Sequence, residues 1–220
     1  MSVILYGHPF SSYTWKALIP LYEKGLDFEF RILDDAHPEH WEQLRAHWPR
    51  GQLPVLDDGG RGVAESSIII EHLDIAYPDT PRMIPDDREA ALRVRLLDRV
   101  FDCHLEASFQ AAVSEYIPFI TQTPDPARVE RARTTLSTIY PWLEAQLPDN
   151  DWACGGAFSM ADCSGAPALF YADWTQPIPD ACQKLKAYRA RLLARPSVAQ
   201  CVEDARPYRS YFPLGAPDRD

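Results

Sequence analysis

The spacing of apolar residues divides the chain into two parts, and the first part mixes short strand-like runs with helix-like segments. Its predicted strands are residues 2–6, 28–33, 54–56 and 63–64. Its predicted helices, where apolar residues recur at helical spacing, are residues 11–25, 38–48 and 66–76. The order strand, helix, strand, helix, strand, strand, helix predicts a parallel crossover unit followed by a hairpin.

Strand signals nearly vanish in the second part. Helices are expected at about 87–117, 125–147, 160–173, 178–194 and 197–205. Three prolines between residues 78 and 87 indicate a linker. We therefore expect an α/β domain over residues 1–78, a linker over 79–87, an all-α helical-bundle domain over 88–205, and an irregular tail over 206–220 that wraps over the surface.

Composition restricts the partners and the compartment. The formal net charge of −10 disfavours nucleic acid and anionic membranes as partners. No apolar run approaches the roughly 20 residues that span a bilayer, and the N-terminus lacks the features of a signal peptide, so a cytoplasmic location is expected. The odd number of cysteines, without a Cys-x-x-Cys pair, predicts free thiols and no metal site: Cys103, Cys154, Cys163, Cys182 and Cys201.

Pro54 interrupts a segment that otherwise favours a strand. Proline has no backbone N–H, so it is suited to an edge strand or to a bend. A bend with a cis Leu53–Pro54 peptide would leave the backbone of Leu53 free to pair with a peptide-like ligand.

Two other segments combine hydroxyl or carboxyl groups with a predicted helix start. Ser11 and Ser12 precede one helix, and Glu65 and Ser66 precede another. Each pair is typical of a helix cap, and each also lies where a helix N-terminus holds an anion. A third motif, residues 159–162, has the Ser-x-x-Asp form of a capping box and is interpreted as structural.

In this order and spacing, the four motifs resemble those of the glutathione transferase family, over nearly the whole chain. They are residues 4–12, residues 52–56, Glu65 with Ser66, and residues 158–162. Residues 11–16 look like the zeta-type Ser-Ser-Cys-x-Trp-Arg segment, although Tyr13 stands where relatives often have proline or cysteine. The resemblance, nearest to zeta-like or bacterial members, implies a thioredoxin-like first domain.

The resemblance also implies a set of site residues. The expected thiolate donor is Ser11, with Ser12 as its neighbour and substitute. Glutathione, the expected co-substrate, would contact residues from several segments: Ser11, Gln52, Leu53, Pro54, Glu65, Ser66 and, toward its glycine end, His40. No metal is implied.

Three functions follow from the resemblance, and the third of them is a glutathione-binding protein associated with stress or transport. The first is a transferase that activates the glutathione thiol for attack on a small hydrophobic electrophile, or for a glutathione-dependent isomerisation. The alternative is a catalytically weak adaptor on the same scaffold, for example for the division protein FtsZ. A homodimer is expected, with the first domain of one subunit against the helical domain of the other.

Overall fold

The computed structural model of the chain describes residues 2–149 and 151–220. Four strands form one mixed sheet: β1 (Val3–Gly7), β2 (Phe28–Ile32), β3 (Val55–Asp58) and β4 (Arg61–Ala64). The sheet order is β2-β1-β3-β4, with β1 parallel to β2 and antiparallel to β3. The hairpin of β3 and β4 is antiparallel, as the strand order predicts.

Three helices complete the first domain: α1 (Ser12–Glu23), α2 (Pro38–His47) and α3 (Ser66–Ala76). Nine of the twelve residues of α1 are buried, because the helix lies between the sheet and the second domain. Leu5, at the centre of β1, is fully buried opposite Phe30 and Leu56 in the neighbouring strands. The predicted α/β fold of this half is confirmed.

The second domain is helical, also as predicted. Its α-helices are α4 (Arg88–Val100), α5 (Ala107–Ser114), α6 (Pro126–Gln146), α7 (Met160–Thr175), α8 (Gln183–Ala194) and α9 (Pro196–Ala205). Every residue of α7 is buried, so this helix is the centre of the bundle. None of the helices in the described part of the chain is both long and apolar enough to cross a membrane.

Three segments differ from the sequence prediction. The helix expected over 178–194 begins only at Gln183. The expected single helix at 87–117 contains a π-helical turn at Phe101–Glu106 between α4 and α5. The tail was expected to be irregular, but Arg206–Tyr211 forms a 3-10 helix. Arg206 at its start pairs with Glu203 of α9, and Arg209 pairs with Asp220, so side-chain contacts that span the tail hold this turn.

A shared core joins the two domains. The indole of Trp15 on α1 is fully buried, with its ring centroid 4.9 Å from that of Phe170 on α7. Lys24 and Asp74 form a buried ion pair at 2.7 Å, and the Asp74 carboxylate accepts the backbone N–H of Met83 in the linker. The linker is therefore fixed to the first domain by a buried charge.

The predicted capping box is present at the start of α7. Asp162 Oδ2 accepts hydrogen bonds from the backbone N and from Oγ of Ser159, both at 2.9 Å. Asp162 Oδ1 accepts hydrogen bonds from the backbone N of Ala153 at 2.8 Å and from the hydroxyl of Tyr188 at 2.7 Å. This carboxylate has four donors and no exposed surface, which supports the structural interpretation of the motif.

Candidate functional site

The first part of the site is the N-terminus of α1. Ser11 is the N-cap residue, with an extended backbone, and its Oγ accepts the N–H of Thr14 at 3.3 Å. Its side chain is half-buried. Gly7 ends β1 directly below, and a Cβ there would lie 2.5 Å from Thr14 Cγ2, so only glycine lets the strand approach the helix this closely.

The second part is the loop that leads into β3. The Leu53–Pro54 peptide is cis, as the resemblance implies. Pro54 is buried, Leu53 is half-buried and Gln52 is exposed. Arg50 Nε donates a hydrogen bond of 2.9 Å to Gln52 Oε1, which fixes the orientation of this amide.

The third part is the start of α3. Glu65 is the N-cap residue and has a backbone φ of 70°, a positive value that residues other than glycine rarely adopt. Ser66, the first helical residue, is buried, while Glu65 is exposed. A strained backbone at the positive end of a helix is a feature of many binding sites.

A cavity of about 800 Å³ lies between these segments and the second domain, within the size range of small-molecule sites. Five of the predicted residues line it together: Gln52, Leu53, Pro54, Glu65 and Ser66. We call this cavity 1. Because these residues come from two separate segments, the structure brings together what the sequence shows only as two motifs.

Three predicted residues do not line cavity 1. Ser11 lies at the cap of α1, and Ser12 lines a different cavity. His40 lies on α2 and its Nδ1 is 2.8 Å from the backbone oxygen of Ile32, so that nitrogen is occupied by the end of β2. The predicted contacts of Ser11, Ser12 and His40 with glutathione are therefore proposals.

The opposite wall of cavity 1 comes from α4 and the π-helical turn, whose charged residues were not among those predicted from the sequence. Its residues include Arg95, Asp98, Arg99, Asp102 and Cys103. The two aspartates share a buried ammonium group, since Lys16 Nζ lies 2.6 Å from Asp98 Oδ1 and 2.6 Å from Asp102 Oδ2. A signal was present in the i, i+4 spacing of the aspartates, which places both on one helix face.

The two aspartates respond differently to this environment. Burial alone would raise the pKa of Asp98, but Lys16, together with the Ser164 hydroxyl and Arg99, holds it below its ordinary value. Burial and the negative charge of Asp98 raise the pKa of Asp102 above its ordinary value, although Lys16 and Arg99 oppose the rise. The wall therefore presents one firmly ionised carboxylate beside a second that accepts a proton more readily.

Tyr13, the residue that departs from the family pattern, also lines cavity 1. Burial, with smaller contributions from Glu106 and Asp102, raises the pKa of its hydroxyl above the ordinary value. The group therefore keeps its proton at neutral pH and is a hydrogen-bond donor at the cavity wall.

A second cavity, of about 410 Å³, lies on the other side of the α1 N-terminus, and we call it cavity 2. Its walls are largely aromatic and aliphatic, with polar groups from Ser12 and Gln110. Tyr171 on α7 crosses its floor and donates a hydrogen bond of 2.9 Å to the backbone oxygen of Phe10. Phe212 from the tail completes the wall, so the tail contributes to a cavity as well as to the surface.

The short segment from Phe10 to Tyr13 separates the two cavities. Phe10 and Ser12 face cavity 2, whereas Tyr13 faces cavity 1. The helix N-terminus between them carries unpaired backbone N–H groups and the positive end of the helix dipole. Such a position stabilises an anion such as a thiolate.

Comparison with known proteins gives one family. Residues 5–81 match the family model "Glutathione S-transferase, N-terminal domain", and residues 126–191 match "Glutathione S-transferase, C-terminal domain". Glutathione S-transferase 1 of Dianthus caryophyllus is 33% identical over 169 residues, which is 75% of each chain. A probable maleylacetoacetate isomerase of Vibrio cholerae is 26% identical over 212 residues, covering 94% of this chain and 98% of that protein.

A solved structure agrees with these relatives. The glutathione S-transferase of Methylobacterium radiotolerans, crystallised in complex with glutathione sulfonate, is 27% identical and has a TM-score of 0.76. The match covers 92% of this chain and 95% of that one. The family resemblance and the two-domain fold class inferred from the motifs are thereby confirmed.

Proposed function

Because the chain belongs to the glutathione S-transferase family, we propose that it binds glutathione in cavity 1 and uses the thiolate to attack a small hydrophobic electrophile in cavity 2. The observation that carries the proposal is the convergence of residues 52–54 and 65–66 on one cavity beside the N-terminus of α1. Conjugation of this kind would serve detoxification.

Each part of the tripeptide has a partner in this proposal. The backbone of Leu53 pairs with the cysteinyl residue in strand-like fashion. The hydroxyl and N–H of Ser66 bind the γ-glutamyl carboxylate at the start of α3, and Glu65 pairs with the α-ammonium group. Gln52, oriented by Arg50, reaches the glycine end, toward which His40 is also assigned.

The sulfur is assigned to the N-terminus of α1. A free thiol with a pKa near 8.5 is mostly protonated at neutral pH, so the enzyme must stabilise the thiolate. In this proposal the Ser11 hydroxyl donates to the sulfur while its oxygen accepts from Thr14. Ser12 is the neighbouring donor, and Tyr13 offers a third hydroxyl from the wall of cavity 1.

The second substrate is assigned to cavity 2. Aromatic side chains there lie close together, with the ring centroids of Phe10 and Tyr171 5.3 Å apart and those of Phe109 and Tyr171 5.5 Å apart. Walls of this kind favour an apolar or aromatic molecule through burial of its surface. An isomerase reaction is a second candidate, supported by the maleylacetoacetate isomerase named among the relatives. The adaptor alternative finds no support in the relatives described above.

We also propose a cytoplasmic location and a homodimer. Buried free thiols at Cys163, Cys182 and Cys201 suit a reducing compartment. Exposed aliphatic residues on α3 and α4 are the surface that we assign to a second copy: Ile75, Leu92 and Leu96, with Ile68 at the edge of cavity 1.

The function is tested by calorimetric titration with glutathione and by conjugation of chlorodinitrobenzene. We expect binding by the wild type and turnover that falls at least about tenfold in Ser11→Ala, since activation of the thiol loses a donor. Asp87→Ala is the matched control, because Asp87 caps α4 through the N–H of Ala90 and lines neither cavity. Absence of binding at millimolar glutathione would overturn the proposal, and binding without turnover would favour the adaptor.

A further inference from the structure

Glu106 is a buried carboxyl group whose polar atoms are incompletely bonded. It is the last residue of the π-helical turn and is only 2% exposed. Its Oε1 has no hydrogen-bond partner within residues 2–149 and 151–220. Burying such a group without full bonding costs free energy, and Glu106 lies within a few residues of groups that line both cavities, so it is a candidate for a functional role.

The neighbours of Glu106 connect it to cavity 2. Gln110 Nε2 donates a hydrogen bond of 3.2 Å to Ser12 Oγ, and both of these side chains interact with the carboxyl group of Glu106. Because Ser12 Oγ accepts from Gln110, the hydroxyl hydrogen is left to point at another acceptor. Ser12 and Gln110 line cavity 2, whereas Glu106 lines neither cavity, so one hydroxyl separates Glu106 from the second-substrate site.

Several titratable groups face Glu106. Asp102 lies on the same turn, Lys16 and Tyr13 come from α1, and Tyr171 comes from α7. Burial, together with the charge of Asp102, raises the pKa of Glu106 to about 8, although Ser12, Lys16 and Gln110 oppose the rise. Glu106 therefore carries a proton at neutral pH, in a place where water has little access.

This inference rests on the proposed function. We propose that Glu106 is a positioning residue that keeps the Ser12 hydroxyl supplied with a proton, and that the substrates served by it are α,β-unsaturated carbonyl compounds. Those substrates need a proton after the thiolate adds, and the geometry places the Ser12 hydroxyl at the cavity where they would lie.

The chemical step balances without any further reactant. The sulfur electron pair forms a C–S bond to the β-carbon, and the π pair of the C=C bond moves toward the carbonyl to give an enolate. The Ser12 hydroxyl proton passes to the α-carbon, and Glu106 returns a proton to Ser12. The proton released when the next glutathione thiol ionises restores Glu106. The net change converts one S–H and one C=C bond into one C–S and one C–H bond.

Aromatic substitution has a different requirement. When the thiolate displaces chloride from chlorodinitrobenzene, the chloride leaves as an anion and no carbon needs a proton. The ratio of the two rates therefore isolates proton delivery, because ionisation of the glutathione thiol contributes equally to both reactions. Benzylideneacetone is a suitable unsaturated ketone, since its addition product loses the conjugated absorbance.

The experiment measures both rates at saturating glutathione for the wild type, Glu106→Gln and Glu115→Gln. Glutamine keeps the shape of Glu106 but cannot donate an acidic proton. Glu115 is a matched control: it is 1% exposed, forms an ion pair with Arg128, accepts a hydrogen bond from the backbone N of Asp125, and lines neither cavity. Chlorodinitrobenzene turnover also reports whether each variant is folded.

General acid catalysis contributes roughly 10²–10⁴-fold, so we expect the ratio of addition to substitution to fall at least about tenfold in Glu106→Gln. In Glu115→Gln it should stay within about threefold of the wild type. The wild-type ratio should decline above about pH 8, where Glu106 loses its proton, and the decline should be absent in Glu106→Gln.

Three outcomes would overturn the inference. The first is an unchanged ratio in Glu106→Gln, and the second is an equal loss of both reactions, which indicates a structural role. The third is a ratio of addition to substitution that still declines above about pH 8 in Glu106→Gln. If the wild type catalyses neither reaction, the proposed function fails and this inference fails with it.

Discussion

Lys16 Nζ lies 2.6 Å from Asp98 Oδ1, and the side chains are 1% and 2% exposed. The pair joins the first helix of one domain to the first helix of the other. The same ammonium donates to Ser67 Oγ at 2.8 Å and to Asp102 Oδ2 at 2.6 Å, so its three hydrogens meet three acceptors. The interface between the domains, which forms a wall of cavity 1, is therefore organised around one buried cation.

Replacing Lys16 by methionine is expected to destabilise the fold strongly. The change leaves the Asp98 carboxylate buried without its main counter-charge, which costs about 3 kcal/mol of unfolding free energy, the lower end of the usual range because Arg99 remains beside it. Arg95→Met removes the more exposed pair with Glu71 and should cost less than about 1 kcal/mol. Urea unfolding measures both, and equal losses would contradict the interpretation.

Glu106 is expected to give the stability a specific pH dependence. Its pKa is about 8 in the folded protein but near the ordinary 4.5 in the unfolded chain, so the folded state binds one more proton between these values. The contribution of Glu106 to the free energy of unfolding is largest below about pH 4.5 and is lost as the pH rises toward 8.

Glu106→Gln removes this titration. Relative to the wild type, the variant should therefore gain at least about 2 kcal/mol of unfolding free energy between about pH 5 and about pH 8. Urea unfolding at the two pH values measures the gain, and a constant difference between the proteins would show that Glu106 ionises normally.

The positive φ of Glu65 predicts different stabilities for two substitutions that both remove its carboxylate. A non-glycine residue in such a conformation costs about 1–3 kcal/mol, and glycine relieves the strain. Glu65→Gly should therefore be about 1 kcal/mol more stable than Glu65→Ala. Because both lose the proposed partner of the α-ammonium group, calorimetry should show an equal loss of glutathione affinity. Equal stabilities would mean that the backbone is not strained.

Tyr171→Phe should change the second-substrate site and the stability together. The hydroxyl donates to the backbone oxygen of Phe10 at 2.9 Å, and its removal leaves that part-buried acceptor without this donor, at a cost of about 1 kcal/mol. Tyr140→Phe is the matched control, since its hydroxyl bonds the backbone oxygen of Gln176 at 2.8 Å away from both cavities. We expect only Tyr171→Phe to raise the KM for chlorodinitrobenzene. A similar change in KM in both variants would show that this substrate does not bind in cavity 2.

The proposed dimer is tested by a charge on its apolar face. Leu92→Asp on α4 should convert a species of twice the 25.0 kDa chain mass into a monomer in light scattering. The loss follows because an unpaired charge cannot be buried in an interface. Ile120→Asp, at another exposed aliphatic position, should leave the assembly unchanged. A wild-type protein that is already monomeric at micromolar concentration would contradict the dimer.

Local signals were sufficient for the element order and for the two binding motifs. Proline restricts its own backbone, and a helix start favours a residue with a hydroxyl group. The structural preferences of Pro54 and Ser66 therefore do not depend on residues far away in the sequence. The 3-10 turn at Arg206–Tyr211 was missed because Arg206 and Arg209 both pair with Asp220, which lies more than ten positions further along the sequence. The π-helical turn was missed because apolar spacing does not distinguish it from an α-helix.

The amino-acid order by itself specified the sequence of strands and helices in both halves, because turn residues and apolar spacing act within a few positions. The thioredoxin-like arrangement and the residues of cavity 1 that adjoin Pro54 and Ser66 followed from the resemblance of whole motifs to a known family. Folding in three dimensions was needed to bring Asp98 and Asp102 onto Lys16, and to bury Glu106 behind Ser12. In the sequence these acidic residues look like ordinary solvated helix charges. Their chemistry arises only when α4 and its π-helical turn pack against α1 and remove the water around them.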